Sequence, residues 1–147
     1  MFKKYVLFLF AFSFSGDFLL PFNIPPEEPK PLSVVELIEK YSEEYQVPYR
    51  LAYELAKFES NLSPTAKNPN SSARGVYQFL TGTWKGFCEG DVLNAEDNIS
   101  CAMRLISEGG LSHWTSDQYV RLKLWDLGLI KCSNYDRNQC RLIWDYN

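Results

Sequence analysis

Between Ser33 and Gly128, apolar residues recur at helical spacing in one short stretch after another, each bounded by a cap, a proline or a glycine, and no run alternates long enough for a strand. Ser33 followed by Glu36 forms a capping box, and Val34, Val35, Leu37, Ile38, Tyr41 and Tyr45 mark one face of a first helix. Pro48 suits the first turn of a second helix running to about Asn61. Ser63 to Arg74, with Pro64, Asn68, Pro69, Asn70, Ser71 and Ser72, reads as an ordered polar loop, and a short helix follows over Thr81–Phe87. Asn94, with Asp97 three residues on, opens a helix through Ile99, Ala102, Met103 and Ile106 that Gly109-Gly110 closes. A later helix from about Ser116 carries Tyr119, Leu122, Leu124, Trp125 and Leu127 and stops at Gly128; Gln139–Tyr146 offers one last short element. The fold class is mainly α.

The folded part begins near Ser33. Residues 1–15 combine the basic start Met1-Phe-Lys-Lys, the apolar run Tyr5–Phe14 and small residues before a cleavage point after Ser15, the pattern of a secretory signal peptide. The apolar core is too short to span a bilayer as a helix, so contact with a membrane is peripheral at most. Residues 16–32 hold Pro21, Pro25, Pro26, Pro29 and Pro31 and read as a semi-rigid linker. Residues 33–147 then form a single domain, small enough to benefit from covalent staples. After an export signal the natural reading of Cys88, Cys101, Cys132 and Cys140 is disulfide bonds, and Cys88 with Cys101 and Cys132 with Cys140 is the favoured pairing because each closes a short loop at a helix boundary. His113 is the sole histidine and reads as a loop residue; with no ligand spacing of the usual kind, no metal and no cofactor are expected. A formal net charge of -3 argues against a protein that works by neutralising nucleic-acid phosphates. Trp84, Trp114, Trp125 and Trp144 could line a sugar-binding cleft or pack the core.

One residue does not fit the helical pattern. In Leu51-Ala-Tyr-Glu-Leu-Ala-Lys-Phe-Glu-Ser-Asn-Leu62, Ala52, Leu55 and Ala56 define the apolar row, and Glu59 is its next member. Partial burial and the negative end of the helix dipole both oppose ionisation there, so the carboxyl is expected to have a raised pKa. A carboxylic acid still protonated near neutral pH is what a general acid for glycosidic cleavage requires.

The run Glu59-Ser-Asn-Leu-Ser-Pro-Thr-Ala66, then Ser72-Ala-Arg-Gly-Val-Tyr-Gln78, then Thr83-Trp84 resembles the catalytic region of soluble lytic transglycosylases with the goose-type lysozyme fold. Glu59, Ser60, Ala66, Ala73, Gly75, Gln78 and Thr83 match that pattern in order, and Asn98-Ile99 resembles the family's Asn-Ile motif. The resemblance covers about residues 33–125 and implies a lysozyme-like single domain with room for a short β-hairpin near the cleft. The implied substrate is the peptidoglycan glycan strand, cut between N-acetylmuramic acid and N-acetylglucosamine. Glu59 would protonate the leaving oxygen and then act as base on the muramyl C6 hydroxyl, giving a 1,6-anhydro end.

On the same resemblance Ser60, Gly75, Tyr77, Gln78 and Asn98 are candidates for substrate binding. Val76-Tyr77 replaces the family's Leu-Met and puts a phenol beside the expected cleft. The family's later Ala-Tyr-Asn-Ala-Gly segment is absent, leaving Trp114 and Tyr119 as the nearest candidates for the cleft aromatic. No second carboxylate stands in the Glu59–Gln78 segment, and Asp91 and Asp97 remain open. Two other readings stand beside the transglycosylase: a muramidase that hydrolyses the same bond with water, and a catalytically silent glycan-binding module. All three describe a monomer, secreted or periplasmic, working at the cell wall.

Overall fold

The computed structural model describes residues 30–132 and 140–142. The segments read as signal peptide and, up to residue 29, as linker lie outside the described residues, as does Trp144. Apart from Lys30, the described residues belong to the second of two units into which the chain divides, Pro31–Asn147. They form helices α1 (Val34–Glu44), α2 (Tyr49–Ser60), α3 (Thr81–Phe87), α4 (Ala95–Ser107), α5 (Ser112–Thr115) and α6 (Gln118–Asp126), then strands β1 (Ile130–Cys132) and β2 (Cys140–Leu142).

Local chemistry sets the helix ends. At α1 the Ser33 side chain accepts from the Glu36 amide at 3.3 Å while the Ser33 amide donates to Glu36 at 2.7 Å, so two amides with no helical partner are satisfied reciprocally. Asn94 caps α4, its Oδ1 accepting from the amides of Glu96 and Asp97. α2 ends because Asn61 and Leu62 turn left-handed, at φ 53° and 64°. Pro48 stands one position before α2, where its missing amide costs nothing.

The core gathers where α1 packs on α4 and α2, and α2 packs on α6. α2 contributes Leu51, Ala52, Leu55 and Ala56, α1 contributes Leu37, Ile38 and Tyr41, and α4 contributes Ile99, Ala102, Met103 and Ile106. Each fully buried leucine or isoleucine is worth about 1.5–3 kcal/mol against leaving it in water. Not every residue assigned to an apolar face is inside. Val35 is exposed, while Ser42, outside the expected apolar face, is buried with its hydroxyl 3.7 Å from Met103 Sδ of α4. On α6 the buried pair is Val120 and Leu124, whereas Tyr119, Leu122 and Trp125 face outward. α6 starts at Gln118 with Asp117 as its cap, and only its row of residues 120 and 124, one turn apart, packs inward.

Two disulfides staple the latter half. Cys88–Cys101 ties the end of α3 to α4, and Cys132–Cys140 joins β1 to β2, which pair antiparallel with Ile130 opposite Leu142. Nearer the middle of the chain, strand-like pairing is limited to isolated antiparallel bridges, Lys67 with Arg74 and Arg74 with Phe79. Among the described residues no helix is long and apolar enough to cross a membrane, and no group of histidine, cysteine, aspartate and glutamate side chains is arranged to hold a metal ion.

Candidate active site

Segment 74–79 is irregular backbone, and it is held from three sides. From α2, Ser60 Oγ donates to the Val76 carbonyl at 2.7 Å, and the Tyr77 hydroxyl donates back to the Ala52 carbonyl at 2.9 Å. On the α4 side, Asn98 Oδ1 accepts from the Tyr77 amide at 2.9 Å, while its Nδ2 donates to the Val92 carbonyl at 2.8 Å and the Arg74 carbonyl at 3.5 Å. The indole N–H of Trp114, on α5, donates to the Tyr77 carbonyl at 2.8 Å. Such fully satisfied buried polar groups fix a loop in one geometry, because any other leaves a buried donor or acceptor unpaired.

These contacts correct part of the expected site. Tyr77 and Asn98 are both 0% exposed, with their polar atoms committed to the protein, so neither meets a ligand in the cleft. Gly75 serves the loop instead of a sugar ring: it is buried at φ +77°, and an added Cβ would fall 2.2 Å from Asn98 Nδ2 and 2.4 Å from the Val92 carbonyl oxygen. The Ser60 hydroxyl bridges helix and loop and accepts from the Ser63 amide at 3.2 Å. It does not orient Glu59 by a hydrogen bond.

Replacing Asn98 with alanine is therefore expected to cost about 1–3 kcal/mol, since the Tyr77 amide is left buried without a partner and the part-buried Val92 carbonyl loses its donor. Urea unfolding checks it; a midpoint equal to the parent's would mean that Asn98 is not holding this loop.

What the loop supports is a cavity of about 220 Å³ lined by Glu59, Gln78, Phe79, Leu80, Thr83, His113, Trp114 and Asp117. Glu59, Gln78 and Trp114 of the expected set thus come together, with Thr83 of the resemblance beside them. Tyr119 does not line this cavity; it is 59% exposed, and its ring meets Phe58 edge-on at 6.5 Å. His113 is a helical residue on the cavity wall, its ring 6.0 Å from that of Trp114, which corrects its reading as a loop residue. Gln78 donates from Nε2 to the carbonyls of Gly75 at 2.9 Å and Ala66 at 3.4 Å, which leaves Oε1 as an acceptor for a ligand N–H or O–H.

Glu59 lines this cavity without a hydrogen-bond partner among the described residues. It is half-buried, and its carboxyl makes no hydrogen bond or ion pair with any described residue. Burial first, and the charge of Asp117 second, push its pKa from the ordinary 4.5 up to about 7. The expected burial effect is there; the neighbouring carboxylate leaves no local signal, because Asp117 is remote in sequence and reaches the cavity through the packing of α6 on α2. Asp91 and Asp97 are elsewhere, the Asp91 amide donating to Asp97 at 2.9 Å. A larger cavity, about 590 Å³, lies beside the Cys88–Cys101 bridge; of its charged groups Glu96 is paired with Lys40 at 2.8 Å, Arg104 with Glu108 at 3.1 Å, and Asp97 accepts from the Asp91 amide at 2.9 Å.

The family model described as Transglycosylase SLT domain matches residues 36–113, more than half of the chain and most of this cavity's lining. The chain belongs to that family. No curated protein and no solved structure matches it. As an SLT domain, the chain carries the fold and general activity of the lytic transglycosylases, cleavage of glycan in peptidoglycan outside the cytoplasm. The match takes in Glu59, Gln78, Thr83 and His113 and ends before Asp117, so one wall of this SLT cleft is built from sequence beyond it.

Proposed function

We propose that this SLT domain cuts the β-1,4 bond between N-acetylmuramic acid and N-acetylglucosamine, with Glu59 as the only proton donor and acceptor. The observation that carries the proposal is the unpartnered, half-buried Glu59 carboxyl opening on the cavity, with a pKa of about 7. Near neutral pH a large share of such groups is protonated, and the acid can give its proton to the bridging oxygen as the C1–O bond breaks. The resulting carboxylate then takes the proton of the muramyl C6 hydroxyl as that oxygen closes onto C1. The product is a 1,6-anhydro end, and no water enters. Gln78, with Oε1 uncommitted, is suited to accept a hydrogen bond from an acetamido N–H. Trp114 adds an aromatic ring to the cavity wall.

The basic and apolar pattern of residues 1–15 supports export, with the mature monomer beginning after Ser15 and residues 16–32 as the linker ahead of its domain. Digestion of peptidoglycan sacculi by the purified mature protein tests the reaction. Mass analysis should find muramyl ends lighter by one water than reducing ends; reducing ends alone would assign the hydrolytic reaction to this cleft.

A further inference from the structure

Asp117 is the cavity-lining carboxylate that the family pattern does not supply. It caps α6: Oδ1 accepts from the amides of Tyr119 at 2.7 Å and Val120 at 3.2 Å, which fixes the side chain's direction. The other oxygen has no partner among the described residues, and the residue is exposed on the cavity that Glu59 also lines. The cap alone explains why an aspartate, asparagine, serine or threonine stands at this position. It does not explain why the charged member should line the same cavity as an unpartnered carboxyl.

We propose that Asp117 is the second carboxylate of the cleft, a fixed negative charge that stabilises the positive charge building on the sugar ring as the glycosidic bond breaks. The proposal rests on the glycan-cleaving reading of Glu59. In that step the proton leaves Glu59 for the bridging oxygen, and the C1–O bonding pair follows it. The ring carbon and ring oxygen share a positive charge until the incoming oxygen adds to C1 and its proton passes to Glu59. A preoriented anion near that charge lowers the barrier without itself moving a proton.

The charge has a second effect that can be read separately. Of the groups lining the cavity with Glu59, Asp117, the cap of α6, and His113 on α5 are the charged or titratable ones; the 76–80 loop and α3 bring Gln78, Phe79, Leu80 and Thr83, all neutral. Asp117 is the named charge that raises Glu59, so removing it should release the proton of Glu59 at lower pH.

Asp117→Asn tests this cleanly, because asparagine caps a helix as well as aspartate does and the fold is retained. Asp117→Ser, also a good cap, serves as the second variant. Both should cleave sacculi about ten- to a hundredfold more slowly through kcat, with KM little changed. The alkaline limb of their pH profile should move to lower pH. Rates and a limb equal to the parent's, in variants with the parent's melting temperature, would overturn the proposal. Glu59→Gln run in parallel separates the failures: if it is inactive while Asp117→Asn is normal, only the role of Asp117 falls. Activity in Glu59→Gln would overturn both.

Discussion

Glu59→Gln should abolish most of the cleavage of peptidoglycan sacculi, lowering the rate by about 10²–10⁴-fold, the range that a single positioned acid contributes. The amide keeps the shape of the side chain and has no proton to give at any working pH. In the parent, the reactive form is the protonated one. With a pKa of about 7, activity should level off below that pH and fall about tenfold per unit above it.

The same substitution should make the protein more stable at alkaline pH. The folded pKa of Glu59 lies above the ordinary 4.5, so the folded state holds the proton more tightly than the unfolded chain does. Its neutral form is tolerated, and folding loses stability as pH rises from about 4.5 to 7. Above that window the ionised carboxyl costs about 1–3 kcal/mol, and glutamine removes the cost. Glu59→Gln should therefore melt higher than the parent at pH 8 and close to it at pH 4, with both pH values taken as about one unit or less beyond the titrating range. A variant that loses activity but gains no alkaline stability would mean that Glu59 is more solvated than its position on α2 implies.

Glu59 was legible in the sequence for a local reason. A helix of period 3.6 puts residues 52, 55, 56 and 59 on one row, and a carboxylate at the end of a row that is otherwise apolar needs nothing else to be noticed. The caps at Ser33 and Asn94 were legible in the same way, since each bond spans two or three residues. The roles of Tyr77 and Asn98 were not. Both sit in a run that resembles a catalytic motif, and such a motif records equally the residues that touch substrate and the residues that hold the loop. Only hydrogen bonds between residues 16 to 37 positions apart separate the two. Asp117 was missed on the same ground: its proximity to Glu59 depends on how α6 lies on α2, which no periodicity records.

Gly75→Ala should be among the most damaging single-atom additions available in this domain, costing about 3–5 kcal/mol. Two penalties act together. Alanine at φ +77° leaves the comfortable backbone region, and its Cβ would overlap Asn98 Nδ2 and the Val92 carbonyl oxygen, at 2.2 and 2.4 Å. Neither neighbour can give way cheaply, because Asn98 Nδ2 is bonded to that same carbonyl at 2.8 Å and Asn98 Oδ1 to the Tyr77 amide at 2.9 Å. The loop under the cavity would have to shift, so activity should fall together with the melting temperature, which drops by about 10 °C or more. A parent-like melt in Gly75→Ala would show that the loop relaxes freely and does not hold the cleft. The cause can be apportioned by combining Gly75→Ala with Asn98→Ala. If the collision with the amide dominates, the double variant loses clearly less than the two single losses added, because the second change removes the atom that the first one strikes. Simple additivity would instead assign the cost to the backbone at residue 75 and the Val92 carbonyl, and would leave Asn98 as a support of the loop alone.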